Sequence, residues 1–127
     1  MTIETIHSDQ APAAIGPYSQ ATKAGNLIFC SGQIPINPTT GEVVSGDARI
    51  QTHQVMKNLQ AVLVAANSNL SQVVKCTIYL KDISDFEQVN EIYGSYFSPP
   101  FPARVTIQAA NLPKNVDVEI DVIANVL

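Results

Sequence analysis

Basic side chains are scarce in this chain: 127 residues carry seven Lys and Arg against eleven Asp and Glu, a formal charge of −4. The seven, Lys23, Arg49, Lys57, Lys75, Lys81, Arg104 and Lys114, are scattered with no two adjacent. Phosphate binding needs clustered cations, so neither a nucleic-acid surface nor an anionic-membrane surface is expected, which leaves room only for a single positive pocket. Cysteine is as sparse. Cys30 and Cys76 lack the CxxC spacing of a zinc or redox site, and the opening MTIETIHSDQ lacks a signal-peptide pattern, so a reducing, cytoplasmic setting is expected. No apolar run approaches the ~20 residues that cross a bilayer, and a soluble protein is expected. GxGxxG, Walker, HExxH and Ser-His-Asp patterns are missing, which removes support for hydride transfer, nucleotide hydrolysis, a metal site or a triad. Repeats, low-complexity stretches and Gly/Ser linkers are also absent. With 46% apolar residues, the expectation is one domain over residues 1–127 with a real core.

What is present reads as alternating elements punctuated by Pro and Gly. Tyr18–Lys23 and Leu27–Ser31 form a predicted hairpin around Ala24-Gly25-Asn26. Over 50–66, Val55, Leu59, Val62, Leu63 and Ala66 make the stripe of an amphipathic helix, with Asp47 as an upstream cap. Val73–Leu80 alternates, with Val74, Cys76, Ile78 and Leu80 on the apolar side. Ser84 and Glu87 have capping-box spacing ahead of a second helix through Phe86, Val89, Ile92, Tyr93 and Tyr96, ending near Phe97. Two further strands follow, Ala103–Ala109 and Val116–Ala124. This order predicts an α+β fold, a mixed sheet with two helices on one face. The other face, expected to show Phe29, Thr77, Tyr79, Thr106 and Ile123, is too apolar to stay free and predicts self-association.

Few residues stand out as chemistry. Arg104 is one of two arginines and sits within a strand. Its planar fork suits a carboxylate, and a solvated strand face is the alternative. Asp117, Glu119 and Asp121 fall at period two on one side of the last strand, either a wet face or a source of one acid/base carboxylate. His7 and His53 read as surface residues and Cys76 as core.

The segments APAAIGPYSQA (11–21), SGQIP (31–35), DFEQVNEIYGSYF (85–97), FPAR (101–104) and LPKNVDVEIDVIA (112–124) resemble the Rid family of reactive-intermediate deaminases, also called YjgF-type, across nearly the whole chain. The resemblance implies a chorismate-mutase-like homotrimer with ligand clefts between subunits and no cofactor. It also implies hydrolysis of 2-imino acids such as 2-iminobutanoate and 2-iminopropanoate to 2-keto acids and ammonia, downstream of pyridoxal-phosphate (PLP)-dependent dehydratases. Arg104 matches the family's carboxylate-binding arginine and Glu119 its water-activating carboxylate. Tyr18, Ser31 and Asn90 match further cleft residues. Thr106 stands where many members have cysteine and borders the implied cleft; a hydroxyl still donates and accepts hydrogen bonds, so activity is expected to survive. Asp121 stands where glutamate is more usual. Two other functions compete with this one: a non-enzymatic metabolite-binding regulator, and a ribonuclease or translation inhibitor, the latter disfavoured by the acidic charge balance.

Overall fold

The computed structural model describes residues 2–127. Six strands form one sheet: β1 (Ile3–Ile6), β2 (Ala21–Ala24), β3 (Leu27–Gln33), β4 (Val73–Leu80), β5 (Ala103–Gln108) and β6 (Val118–Asn125), in the spatial order β1-β2-β3-β6-β4-β5. Only β4 and β5 are parallel, and α2 (Phe86–Ser95) makes the crossover between them. α1 (Ala48–Ala65) packs against β3, β6 and α2. The architecture is the expected α+β one, two helices on a mixed sheet.

Periodicity explains the core. Val55, Leu59, Val62, Leu63 and Ala66 are all buried, as the stripe requires, and Asp47 caps α1 by accepting from the Ile50 N–H at 3.1 Å. Facing them are Ile28 and Cys30 of β3, Cys76, Ile78 and Leu80 of β4, and Val118, Ile120, Val122 and Ala124 of β6. The hairpin turns on Gly25-Asn26, with Gly25 at φ 61°, where a side chain would be strained.

Several expectations need correcting. β1 is not foreshadowed by any pattern, because an exposed edge strand needs no apolar alternation. β2 starts at Ala21 rather than Tyr18, since residues 8–20 form a loop. The capping box is absent: Ser84 lies in a 3-10 turn, where its N–H bonds the Asp82 carboxylate at 2.9 Å, and Asp85 precedes α2 without a side-chain cap. Asp117 does not join Glu119 and Asp121; it lies before β6, where its carboxylate accepts from Gln51 Nε2 of α1 at 3.1 Å. Thr106 is not on the open face. It pairs in register with Ile78, whose side chain is buried under the helices, whereas Val105 and Ile107 stand beside Thr77 and Tyr79 on the open side. Val74 likewise leaves the apolar side of β4 and is exposed, at the irregularity in the β4–β6 pairing between Val73 and Lys75.

The 8–20 loop is held by one side chain. Gln20 is buried; its Oε1 accepts from the Ser8 N–H at 2.6 Å, and its Nε2 donates to the carbonyls of Ser8 at 3.0 Å and Pro12 at 2.8 Å. Gln20→Ala strands these backbone groups, and a loss of about 2–3 kcal/mol is expected in urea unfolding; a loss below about 0.5 kcal/mol would mean that the loop does not depend on this amide.

Candidate functional site

Alternation along the sheet distributes the predicted site residues between two clefts. Glu119 pairs with Tyr79 and projects from the open face, so it emerges beside the loop that Gln20 holds. There it lines a cleft of about 600 Å³ with Tyr18, Ser31, Gly32, Gln20 and Lys114. Arg104 is in register with the buried Cys76 and therefore projects to the helix side, at the uncovered edge of β5. It lines a second cleft, of about 430 Å³, with Asn90, Tyr93, Gly94, Phe101 and Pro102. Both volumes suit a small metabolite. Within one chain, Arg104 and Glu119 are on opposite faces of the sheet and share no cleft.

In the first cleft, Ser31 is fixed between strands. Its Oγ donates to the Ser19 carbonyl at 2.6 Å and its N–H to the Gln20 carbonyl at 2.9 Å, and the residue lines the cleft. The Tyr18 hydroxyl accepts from the Ile15 N–H at 3.3 Å. Glu119 makes no hydrogen bond or ion pair among the described residues. Burial pushes its carboxyl above the usual glutamate value, and the Asp121 charge adds to the rise. Asp121 itself accepts from the Tyr79 hydroxyl at 3.0 Å. Nothing in the sequence singles out Gly32. A Cβ added there would come within 2.1 Å of a Glu119 carboxylate oxygen, so the carboxylate rests directly on the glycine backbone.

The second cleft is organised around a cation. Arg104 Nη1 donates to Asn90 Oδ1 at 2.5 Å, and its Cζ lies 5.1 Å from the Tyr93 ring centroid and 5.5 Å from that of Phe86. Among the described residues, no carboxylate comes within ion-pair distance of Arg104. Thr106 lines neither cleft, and its Oγ1 is buried without a hydrogen-bond partner among the described residues.

The other candidates are quiet. Burial pushes the Cys30 thiol up to about 12 and also raises Cys76, so neither supplies thiolate near neutral pH. His7 bonds Asp9 and His53 bonds the Tyr96 hydroxyl, both on the surface. Among the described residues, no three His, Cys, Asp or Glu side chains converge as metal ligands, and no helix is long and apolar enough to cross a membrane.

The family described as Endoribonuclease L-PSP matches residues 8–126. A RutC family protein of Pyrococcus horikoshii is 53% identical over 95% of this chain and 96% of its own length. The chloroplastic Reactive Intermediate Deaminase A of Arabidopsis thaliana is 51% identical over 95% of this chain and 65% of its own length. Among solved structures, RidA from the Antarctic bacterium Psychrobacter sp. PAMC 21119 has a TM-score of 0.93 at 44% identity, covering 97% of this chain and 99% of that one. TdcF of E. coli with bound serine has a TM-score of 0.91 at 38% identity, covering 96% and 98%. With nearly its whole length matched and the same fold throughout, the chain belongs to the Endoribonuclease L-PSP family, the Rid family that its motifs resemble.

Proposed function

We propose that the protein hydrolyses reactive 2-imino acids, 2-iminobutanoate and 2-iminopropanoate among them, to 2-keto acids and ammonia. A deaminase role is what family membership and the Arabidopsis relative support. The observation that carries the finer reading is an arginine held in a cleft with no carboxylate of its own chain to neutralise it. A small carboxylate is the ligand such a fork takes best. The serine bound by TdcF is an amino acid of that class.

For Arg104 and Glu119 to act on one molecule, the two clefts have to come from different copies. The open sheet face supplies a reason to assemble: Phe29, Val105 and Ile107 are 41%, 44% and 45% exposed. A homotrimer joined through this face would set the Arg104 cleft of one copy against the Glu119 cleft of the next. The substrate carboxylate would lie on Arg104 and its C=N carbon near a water held by Glu119. Glu119 takes a proton as the water oxygen bonds to carbon and the C=N π electrons move to nitrogen. Glu119 returns that proton to the nitrogen to give the carbinolamine, and it then carries the hydroxyl proton to the amino group, so that the C–N bond breaks as C=O forms and ammonia leaves the keto acid. Imines hydrolyse unaided, so positioning and one acid/base group, worth roughly 10²- to 10⁴-fold, suffice. No cofactor enters this scheme, and Thr106 has no part in it. A cytoplasmic protein working downstream of PLP-dependent dehydratases would remove imines before they damage such enzymes. RNA cleavage, which the family description names, has no support from seven dispersed cations.

Dehydratase-coupled assays test this reading: with semicarbazide competing for free imine, the protein is expected to accelerate keto-acid release, and binding of 2-ketobutyrate without acceleration would instead make it a metabolite sensor. Arg104→Lys keeps the charge but loses the fork, and kcat/KM should fall by roughly tenfold or more; wild-type rates would remove the anchoring role. Glu119→Gln should lower kcat by about 10²-fold with little change in 2-ketobutyrate affinity, and equal losses in both would point to a structural role. Because Glu119 works ionised and its carboxyl is raised above the ordinary 4.5, activity should fall on acidification at a pH above that value. Asp121→Asn, which removes the charge that helps raise it, should move this acid limb to lower pH. Gly32→Ala should displace the flexible end of Glu119 and depress turnover while thermal stability stays near wild type; unchanged turnover would show that the carboxylate position does not matter.

A further inference from the structure

Phe86, Asn90 and Tyr93 stand at i, i+4 and i+7, so α2 presents them along one face. All three converge on Arg104: the amide oxygen on Nη1 at 2.5 Å, the rings 5.1 and 5.5 Å from Cζ. Periodicity alone assigns Phe86 and Tyr93 to the core, and Tyr93 is indeed buried, its ring tilted against that of Phe97 with centroids 4.8 Å apart. The Tyr93 hydroxyl is buried facing the Cys76 thiol and makes no hydrogen bond of full geometry among the described residues. What the ring does is lie against a guanidinium.

The chemistry of the three contacts is distinctive because none carries a formal charge. A carboxylate holding Arg104 would compete with any anionic ligand, whereas an amide and two ring faces fix the group and leave its positive charge unspent. They also leave one edge wholly free. Nη1 lies on the Cδ side of the guanidinium and gives one of its two hydrogens to Asn90, whereas Nε and Nη2 make no bond among the described residues and their hydrogens point the same way as a two-donor fork.

We propose that the Phe86-Asn90-Tyr93 face of α2 is an uncharged arginine holder, in which Phe86 and Tyr93 are positioning residues that aim the Nε/Nη2 edge of Arg104 at the substrate carboxylate. Asn90, which the family resemblance places in the cleft, acts here through Arg104. The proposal rests on the reading of Arg104 as the carboxylate anchor and names what sets its aim. The ring is the active part of Tyr93, and the hydroxyl is dispensable.

The test compares Tyr93→Phe, Tyr93→Leu and Phe86→Leu in the assembled protein, reading the Kd for 2-ketobutyrate and for its uncharged amide, 2-ketobutyramide, alongside KM and kcat for 2-iminobutanoate. Tyr93→Phe is expected to bind 2-ketobutyrate as wild type does. The two Leu variants should weaken 2-ketobutyrate by about fivefold to tenfold, the scale of an arginine–aromatic contact. KM should rise with them, kcat should change by less than about twofold, and the amide should bind as before, since only the anion needs the fork. A holder is overturned if both Leu variants bind 2-ketobutyrate normally, if Tyr93→Phe loses as much as Tyr93→Leu, or if the amide weakens in step with the acid, which marks general deformation of the cleft. Should Tyr93→Leu fail to fold, the half-exposed Phe86→Leu decides between the same outcomes. Wild-type protein that binds 2-ketobutyrate without hastening imine decay would end the deaminase reading and leave the holder intact.

Discussion

Side chains alternate along β4, β5 and β6, and the helices claim one of the two faces this creates. Cys76, Ile78 and Leu80, with Val118, Ile120 and Val122, must lie under α1 and α2 to bury their apolar surface, which fixes the register of every residue between them. Arg104, beside Cys76, is therefore directed to the helix side, and Glu119, beside Tyr79, to the open side. A slip of one residue in β6 would exchange core for surface along its whole length, and β5 takes its register from the buried β4 beside it, so packing, rather than any local preference of the charged residues, decides which cleft each of them enters.

How each cleft is then furnished differs. Around Glu119, side chains hold main chain in place: the Gln20 amide ties the 8–20 loop to the sheet, Ser31 is pinned to the Ser19 carbonyl, and the Gly32 backbone gives the carboxylate a surface to rest on. Around Arg104 the holding is done by side chains of one helix face. The acidic site is thus shaped by close approach of main chain, and the basic one by neutral groups that hold a cation without quenching it.

Much of this is legible in the sequence. The stripe from Val55 to Ala66 and the alternation of β4 and β6 are strong because they are written in residues that water expels. Motif resemblance points to Arg104, Glu119, Tyr18, Ser31 and Asn90, and the structure seats each of them in one of the two clefts. What the sequence conceals has physical causes. β1 makes no core, so it carries no pattern. Ser84 and Glu87 have the spacing of a cap, but Asp82 captures the Ser84 N–H first. The face of Thr106 depends on the register set by Ile78, which is a property of the pairing and not of β5 alone. Phe86 and Tyr93 give no functional signal because an aromatic that cradles a guanidinium has the same helical spacing as one that fills a core, and Gly32 none because its role is the absence of a Cβ.

The separation of Arg104 from Glu119 has a consequence for inheritance. In the ring-shaped assembly proposed, a protomer lacking its arginine can still lend a good carboxylate to one neighbour, and a protomer lacking its glutamate can still lend a good arginine to the other. Any closed ring of three built from both kinds of damaged subunit has one junction where the two sound halves meet. Two null alleles would then complement each other, and catalytic competence would belong to the seam between polypeptides rather than to any one of them.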